Sequence, residues 1–515
     1  MTACLTATGG RDVDYDVIVI GAGAGGLAAG ATLASRGLKT VVLEQSDSIG
    51  GCSSYFEKDG FHFDVGACIV EIPRAHDWFY EGLGLKREEY VTFMRNDPLY
   101  ELLDMSTGER LLVPSSIEGT ADLIGRHSAK DAATFQSFIK KHGKRLDEFA
   151  DVVLTTPQGR MRDLFGVFAR YPKIIGSMGV ILKPYGKLLD DMFEHPFSRS
   201  MLANYSIIGG LPPSVQSGLM FWLVYAEHDG MYYPRGGMGA IPRGMARALL
   251  ELGGELYVGT QVSKVHLERG AARGVVLADG TVIRSRAVVS NLNAMNLYLE
   301  MIGEENIPRA VSKGLRSYDF SPSCTVGYLG LDYTPPLRAQ HVFGMTSPEL
   351  IDSFWFHVYG RGIPVPQSVG MVTSPSFMDP SMAPAGCGNL AFMTVAPSSP
   401  NGSDWQDIKW EYLDRGIDMV DALFVPGIKS HVVTKTIATP EDFETRLSIP
   451  HGSIYGFSMS MLSQMVFRPG NRSRCIKNLF LCGASTHTCS VPGAVCSGVI
   501  AADLACEDLE RGRAA

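Results

Sequence analysis

The 515-residue sequence lacks three features that would each point to a particular class of protein. It has no apolar run near the ~20 residues that a membrane-spanning helix needs. Its net charge is −8 at pH 7, and this acidic balance argues against a nucleic-acid partner, which would favour a basic face. Its N-terminus, MTACLTATGGRDVD, has no basic patch followed by an apolar core, so we expect a short disordered lead-in and no secretory signal.

The cysteines also lack a pattern. All 10 are scattered without a C-x-x-C pair, which is typical of reduced thiols in a cytosol and not of a disulfide framework. Cysteine recurs at every seventh position over 475–496, but this stretch is predicted to cross a strand, a loop and a helix start, so it cannot form one helical face. No His/Cys cluster has the spacing of metal ligands. We predict a cytoplasmic protein without a bound metal, and the length predicts two or three domains.

The glycine-rich loop that starts at Gly21 is the strongest motif present. Residues 15–20 (YDVIVI) form an apolar, β-branched run that predicts a buried strand, and residues 24–36 predict a helix of small side chains. Between them Gly21, Gly23 and Gly26 complete G-x-G-x-x-G. A second predicted strand over 39–43 ends at Glu44, near the position where an acid binds a ribose diol.

Each part of this motif has a mechanical role in dinucleotide binding. Gly21 allows the tight turn, Gly23 lets a pyrophosphate approach the backbone, and Gly26 lets the helix pack closely on the strand. The helix N-terminus offers free N–H groups and a partial positive charge to the phosphates. The motif therefore predicts a Rossmann-type unit.

Segments with the character of a cofactor domain alternate with segments of a different character. The cofactor-like ranges are 1–91, 231–298 and 447–515, and the middle one includes a β-meander predicted over 255–267, 274–278 and 281–290. The ranges 92–230 and 299–446 hold many predicted helices, most aromatic clusters and much of the proline. We predict an α/β protein with a discontinuous Rossmann-type domain and an inserted α+β substrate-binding domain made of the last two ranges.

The chain contains a single strand, glycine loop and helix unit, so we predict one tightly held dinucleotide. The C-terminal block favours FAD over NAD. It reads LFLCG, then VPG, and then a helix predicted over about 493–510. The positive end of that helix at Gly493 would stabilise the negative N1–C2=O edge of a reduced isoalloxazine.

Taken together, the ordered motifs resemble the phytoene desaturase family, which also contains carotenoid cis–trans isomerases and retinol saturases within the amine-oxidase-like flavoproteins. The resemblance rests on the glycine loop, Glu44, GFHFDVG, YYPRGGMG and the LFLCGASTH…VPGAVCSG ending. It implies an FAD domain and a substrate domain that encloses a long apolar tunnel. The double glycine followed by Cys52 is closer to the isomerase and saturase branches.

The glycine loop and the resemblance together assign a set of FAD contacts. Val262 is implied to hold the adenine side through its backbone. The complete set is Gly21, Gly23, Ala24, Gly25, Gly26, Glu44, Gln45, Gly51, Cys52, Ser53, Gly66, Ala67, Val262, Asn291, Gly483, Pro492, Gly493 and Ala494.

The catalytic residues are less defined, because hydride transfer to a flavin needs alignment more than a protein base. Glu227 and His228 are candidates for an acid/base pair, and a solvated turn in AEHDG is the favoured alternative. His487 is a candidate in the loop beside the flavin, with a structural histidine as the alternative. Cys52 is expected to be a small buried thiol.

Two aromatic-rich segments, 221–225 and 354–359, are candidates for lining a polyene channel, with ordinary core as the alternative. Residues 160–189 combine six basic residues with apolar and aromatic ones against one acid, Asp163. This composition suits a peripheral contact with anionic headgroups, and a solvated basic face is the alternative.

These observations predict an FAD-dependent oxidoreductase that acts on carbon–carbon bonds of a long apolar polyene or isoprenoid. Desaturation, saturation and flavin-assisted cis–trans isomerisation all remain open, as does the electron acceptor. A flavin amine oxidase and a non-catalytic, flavin-containing lipid carrier are the alternatives.

Overall fold

The structure is a computed structural model that describes residues 13–158, 161–366, 368–458, 460, 468–487 and 490–514. The expected lead-in, Arg160 of the basic segment, and the Thr488-Cys489 part of the C-terminal loop lie outside the described residues. In chain order the strands are β1 (Tyr15–Ile20), β2 (Thr40–Leu43), β3 (Tyr55–Lys58), β4 (Phe61–Asp64), β5 (Phe93–Arg95), β6 (Tyr100–Asp104), β7 (Arg110–Val113), β8 (Tyr232–Pro234), β9 (Glu255–Tyr257), β10 (Val262–Glu268), β11 (Ala271–Leu277), β12 (Val282–Ser290), β13 (Ser323–Leu331), β14 (His341–Met345), β15 (Val369–Thr373), β16 (Gly388–Ala396), β17 (Val432–Ala438) and β18 (Leu479–Leu481).

The α-helices follow the same order along the chain. They are α1 (Ala24–Ser35), α2 (Pro73–Gly82), α3 (Ile117–Gly125), α4 (Ala129–Phe138), α5 (Lys144–Leu154), α6 (Met161–Arg170), α7 (Met178–Ile181), α8 (Tyr185–Met192), α9 (Pro196–Ile208), α10 (Phe221–Asp229), α11 (Ala240–Glu251), α12 (Arg309–Arg316), α13 (Pro348–Trp355), α14 (Pro375–Met378), α15 (Trp405–Met419), α16 (Pro440–Leu447) and α17 (Val491–Ala514).

A largely parallel sheet forms the centre of the cofactor-like part. Its order is β10-β11-β12-β1-β2-β9, with β18 added to β12, and β18, β12, β1, β2 and β9 run parallel. Successive residues of β1 face opposite layers: Val17 and Val19 pack toward α1, α11 and α17, while Ile18 packs into the opposite layer. Burial on both faces explains why the β1 sequence is a continuous apolar run.

The predicted Rossmann-type unit is confirmed in β1, α1 and β2, with helix bounds within a residue of the expected ones. The predicted strand over 255–267 was wrong. It is two strands, because β9 joins β2 in the parallel sheet and β10 then starts the antiparallel meander with β11 and β12. The connection, residues 258–261 (VGTQ), turns at Gly259, whose φ is +62, and this glycine was the local signal of the break.

A second sheet of order β17-β13-β16-β15-β14-β6-β7 forms the centre of the other part. Its pairs are antiparallel except for β14 and β6, which run parallel. Every residue of β13 is buried. On one face α15 contributes Leu413 and Ile417 to a core with Leu329, and helices α3–α10 build a separate apolar core that includes Phe343. The expected α/β class with an additional α+β part is confirmed.

Short connections join the two parts. β5 pairs with β8, and the β3–β4 hairpin packs Phe61 and Phe63 against Tyr328 of the second sheet. Among the residues that the structure describes, none of the helices combines the length and apolar composition that crossing a bilayer requires.

Candidate active site

The loop between β1 and α1 presents backbone donors to the carboxyl end of the parallel sheet. Gly21 has φ +93, and Gly23 is the N-cap of α1 without any side-chain cap. A Cβ on Gly26 would lie 1.9 Å from the Gly21 carbonyl oxygen, so only glycine fits there. An uncapped helix start beside a glycine turn is a ready anion site, because its first N–H groups have no partner inside the helix.

Glu44 closes this loop from β2. Its Oε2 accepts a hydrogen bond from the Ala22 N–H at 2.7 Å, and its Oε1 accepts one from the Ser46 N–H at 2.9 Å. The Glu44 carbonyl oxygen accepts from Thr260 N–H at 2.7 Å, which brings the start of β10 at Val262 near the acid. The structure therefore places Glu44 and Val262 at the same edge of the sheet.

Asn291 is the centre on which the glycine loops converge. Its N–H donates to the Ile20 carbonyl oxygen at 2.9 Å. A Cβ on Gly23, Gly25 or Gly483 would each lie 2.6 Å from an atom of the Asn291 side-chain amide. The loops after β1, β12 and β18 thus pack around one amide, at the carboxyl ends of parallel strands where nucleotide sites form in such sheets.

The double glycine and the GFHFDVG stretch lie beside this centre. Gly50 N–H donates to the Ala22 carbonyl oxygen at 2.9 Å, and Ala67 N–H donates to the Cys52 carbonyl oxygen at 3.1 Å. Ser53 is buried next to them. Gly66 continues the same strip, with its Cβ position 3.4 Å from the Cys52 carbonyl oxygen. Gln45 lies at the exposed end of the site, where its Nε2 donates to Ser448 Oγ at 3.1 Å.

The C-terminal helix begins earlier than the sequence predicted. α17 starts at Val491, with Pro492 in its first turn, and the Gly493 N–H donates to Ser490 Oγ at 3.0 Å. Ala494 approaches the glycine loop, because its carbonyl oxygen lies 3.0 Å from a Cβ on Gly25. The Gly493 N–H is therefore bonded to Ser490, and the role of this helix start beside a flavin stays a prediction.

An internal space adjoins these loops. Cys52 is accessible, yet burial raises the pKa of its thiol to about 11. Cys68 and Glu71 are likewise only partly covered, while burial raises the pKa of the Cys68 thiol and raises the pKa of Glu71 to about 7. Partial accessibility combined with strong desolvation is expected of side chains that line an internal space, and we infer such a space here. The expectation that Cys52 is a buried thiol therefore needs correction, because its side chain is exposed to this space.

The Glu227–His228 dipeptide is not a solvated turn, so the alternative favoured from sequence was wrong. Both residues lie in the last turn of α10 and are buried. His228 points away from Glu227, with its ring nitrogens 2.7 Å from Thr120 Oγ1 and close to the Val224 carbonyl oxygen, and burial lowers its pKa. The two side chains are therefore not an acid/base pair.

His487 is held within the protein core beside the C-terminal loop. Its Nε2 lies 3.2 Å from the Thr156 carbonyl oxygen, and burial lowers its pKa to about 3. Buried Arg468 fixes the same loop by donating to the carbonyl oxygens of His487 and Ala484. A neutral, buried histidine of this kind orders the loop and does not serve as a proton donor at neutral pH.

The aromatic segments differ in their surroundings. Phe221 is fully buried and packs on Phe138 at a ring distance of 4.4 Å, so its segment is helix core. Trp355 and Tyr359 instead line a cavity of about 370 Å³. A second cavity of about 260 Å³ extends from Val65 to Phe443. Both cavities have walls from the second sheet and its connections.

The arrangement defines a flavoprotein oxidoreductase of the Rossmann type. The chain belongs to the family of flavin containing amine oxidoreductases, whose pattern matches residues 24–506. FAD is its cofactor, and the uncapped start of α1 with the glycine cradle around Asn291 fits that dinucleotide. The expected family and cofactor are confirmed.

Named relatives place the chain more narrowly. It is 29% identical over 500 residues to phytoene desaturase (lycopene-forming) from Pseudescherichia vulneris, which covers 96% of this chain and 99% of the relative. It is 28% identical to phytoene desaturase (neurosporene-forming) from Cereibacter sphaeroides, with 96% and 95% covered. An oxidoreductase from Methanosarcina mazei has the same fold, with a TM-score of 0.67 at 16% identity over 95% of this chain and 99% of that one.

Sequence reasoning missed Glu71. It lies between GFHFDVG and α2, and its carboxylate faces the same internal space as Cys68. An isolated glutamate before a proline-started helix gives no catalytic signal in a sequence. The signal is the raised pKa of a desolvated carboxyl, and only the folded structure produces that desolvation.

Proposed function

We propose that this protein is an FAD-dependent desaturase that introduces carbon–carbon double bonds into a long polyene. The observation that carries the proposal is similarity to phytoene desaturases along 96% of the chain, combined with a flavin cradle next to a partly apolar interior. The reaction removes two hydrogens from adjacent carbons, and the bound flavin supplies the acceptor for one of them as hydride. The protein holds the cofactor, aligns the chain of carbons and excludes water.

Named residues divide that work. The α1 N-terminus and Gly23 would bind the pyrophosphate, and Glu44 would bind the adenosine ribose next to Val262. Asn291 keeps the glycine loops at their close spacing. The double glycine and Gly66 would lie against the ring system, where their backbone permits close approach.

The direct test mixes the purified holoenzyme with phytoene in liposomes under anaerobic conditions. We expect bleaching of the flavin absorbance together with a shift of the polyene absorbance to longer wavelength. Bleaching by amines and not by phytoene would instead support an amine oxidase, the second candidate, which the description of the matching family favours. If light reduces the flavin but neither phytoene nor an amine does, both enzyme assignments are contradicted. If neither light nor any of these substrates reduces the flavin, the result indicates a carrier.

We also propose the domain boundaries predicted from sequence. The first sheet takes its strands from residues within 1–91, 231–298 and 447–515, and the second from 92–230 and 299–446. The β5–β8 pair crosses the boundary. Limited proteolysis with and without FAD is the measurement. We expect FAD to protect cleavage sites in the first set of ranges more strongly than those in the second.

The basic segment 160–189 supports a proposal of peripheral membrane contact. It exposes three large apolar side chains, Phe165 (67%), Ile175 (67%) and Leu182 (57%). Lys173 is exposed on the same short helical turn as Ile175, and Lys187 is exposed on α8. Exposed apolar residues beside lysines suit an anionic lipid interface, which would deliver a water-insoluble substrate.

Two further cations of the segment, Arg170 and Lys183, already have partners within the protein. Arg170 donates to Thr156 Oγ1 at 2.7 Å, and Lys183 forms an ion pair with Asp191. Liposome co-sedimentation should therefore respond to Phe165→Ser with Ile175→Ser, and to Lys173→Gln with Lys187→Gln. Trp410→Ser, an exposed residue (50%) on α15, is the matched control. Salt should weaken the lysine contribution, and equal binding by all variants would contradict a lipid surface at this segment.

A further inference from the structure

A cluster of carboxyl and phenol groups lies beside the internal space. Glu227 of α10 is fully buried, and among the described residues no strong hydrogen bond reaches its carboxylate oxygens, although the Tyr205 hydroxyl faces them and lowers the pKa of the carboxyl. Three fully or almost fully buried tyrosines from β6, α8 and α9 surround it: Tyr100, Tyr185 and Tyr205. Glu71 is the fourth neighbour and approaches from the segment before α2.

The backbone brings the two glutamates together. Val70 and Tyr232 exchange two hydrogen bonds of 2.9 Å, so the chain just before Glu71 runs beside the chain just after α10. Glu227 lies in the last turn of α10, five residues before Tyr232. The Glu71 side chain remains partly accessible, whereas the Glu227 side chain is fully buried.

The hydrogen bonds of these tyrosines run mostly to groups other than the two glutamates. The Tyr100 hydroxyl donates to the Tyr205 hydroxyl at 2.7 Å, and the Tyr185 hydroxyl donates to the Leu202 carbonyl oxygen at 2.7 Å. The phenol protons of Tyr100 and Tyr185 are therefore engaged away from Glu227, whereas the Tyr205 hydroxyl faces Glu227 and lowers its pKa against the larger effect of burial. Within the part of the chain that the structure describes, no cation shifts the pKa of either carboxyl, and the groups that interact with the pair are the three tyrosines and Cys68.

We propose that Glu71 is the catalytic base of this site and that Glu227 is the positioning residue behind it. The inference rests on the proposed desaturation and deepens it. A bound flavin would accept the hydride of one C–H bond of the substrate. The C–H bond on the adjacent carbon gives its proton to the Glu71 carboxylate, and the electron pair of that bond becomes the new π bond.

Protonation energies agree with this division. Burial raises the pKa of Glu71 to about 7, and burial together with the Glu71 charge raises the pKa of Glu227 to about 8. Near neutral pH, Glu71 is partly ionised while Glu227 keeps its proton. Two neighbouring carboxyls with separated pKa values are the usual arrangement for holding one acid and one base at the same pH. Because they interact, they titrate as a pair.

The first experiment follows the carboxyl carbonyl stretch by infrared titration of the holoenzyme without substrate. The parent should lose two protonated carboxyls around the pKa values of about 7 and 8. Glu71→Gln and Glu227→Gln should each remove one of these steps. Asp64, whose pKa burial raises to about 6, should titrate unchanged as an internal reference. Loss of no step in either variant would overturn the pair.

The second experiment measures anaerobic flavin reduction by phytoene as a function of pH. The parent rate should rise through the ionisation near pH 7. Glu71→Gln should reduce flavin roughly 100-fold more slowly or worse, and without that pH dependence. Glu71→Asp should restore part of the rate and the pH dependence. Glu227→Gln should keep a measurable rate whose profile fits a single carboxyl. Glu81→Gln, an exposed glutamate at the end of α2, is the matched control.

These outcomes distinguish a failure of the proposed function from a failure of the proposed base. A parent that phytoene does not reduce would contradict the proposed function, while the infrared titration would still report on the pair. Flavin reduction by Glu71→Gln at the parent rate would overturn the base, provided that flavin absorbance shows full FAD content. An increase in KM with an unchanged pH profile would also overturn it, because Glu71 would then only anchor a polar group of the substrate.

Discussion

The glycine loops around Asn291 and the carboxyl cluster around Glu227 both depend on close packing, but different forces define them. The loops are set by steric limits, because a Cβ at Gly26 would meet the Gly21 carbonyl oxygen at 1.9 Å and the Asn291 amide fills the space between three turns. The cluster is set by desolvation, which raises the pKa of Glu227 and so keeps a proton on it near neutral pH. A position set by steric limits, such as Gly26, cannot accept an added methyl group. A carboxyl set by desolvation, such as Glu227, changes its charge with pH.

The largest expected effect follows from adding one methyl group to the glycine loops around Asn291. Gly26→Ala should lower the free energy of unfolding by about 3 kcal/mol or more and abolish FAD retention, because backbone must move to admit the Cβ. Chemical denaturation and flavin absorbance are the measurements. Gly82→Ala, where a Cβ meets nothing within 4 Å, is the control and should be neutral or stabilising. Equal effects of the two changes would contradict the steric account.

The carboxyl cluster around Glu227 should make the stability of the folded protein depend on pH. The pKa of Glu227 is about 8 in the folded state against 4.5 for the free group, so the folded protein binds the proton more tightly than the unfolded chain. The parent should therefore lose stability as pH rises from 4.5 towards 8, at about 1.4 kcal/mol per pH unit from this group.

Glu227→Gln should remove that slope, so its stability relative to the parent increases with pH over this window. Denaturation midpoints at several pH values provide the measurement. Val224→Ala, a buried residue without a titrating group on the same helix, is the control for altered packing. A parent and a Glu227→Gln variant with parallel pH profiles would show that Glu227 is not protonated in the folded state.

A smaller effect is expected at the ribose end. Glu44→Ala removes a charged acceptor, so we expect FAD affinity to fall by roughly 1.5–3 kcal/mol. Part of the loss would come from the loop itself, since the Glu44 carboxylate also accepts from the Ala22 N–H. Asp47→Ala, an exposed acid three positions on, is the control, and FAD titration by fluorescence quenching is the measurement. Equal affinity of Glu44→Ala and parent would contradict the ribose assignment.

The smallest effect is expected at the surface between α1 and α17. Arg36 and Asp503 form an ion pair of 2.9 Å with side chains 52% and 43% exposed. Arg36→Ala should change the unfolding free energy by less than about 1 kcal/mol, because water screens such pairs. A loss larger than that would mean that the helix contact depends on this pair more than on Gly498, whose Cβ position lies 2.1 Å from the Gly25 carbonyl oxygen.

The sequence predicted most of the fold on the cofactor side, since local signals there coincide with the tertiary arrangement. The apolar run of β1, the glycine turn at Gly21 and the acid after β2 are adjacent in the chain. The break between β9 and β10 was missed although Gly259 in the connection marks it, because the apolar residues on either side suggested one continuous strand. The start of α17 was placed two residues late, because Val491 and Pro492 also suit a loop.

What the sequence by itself determined was the family, the flavin and the Rossmann-type unit, because glycines at fixed spacing state a backbone requirement that needs no tertiary context. Only the tertiary structure decided which acids are buried. Glu227 was expected in a solvated turn and Glu71 drew no notice, yet packing of α8, α9, α10 and β6 removes water from Glu227 and leaves Glu71 at an interior surface. The pKa of a carboxyl depends on the dielectric and charges around it, and residues distant in sequence supply both.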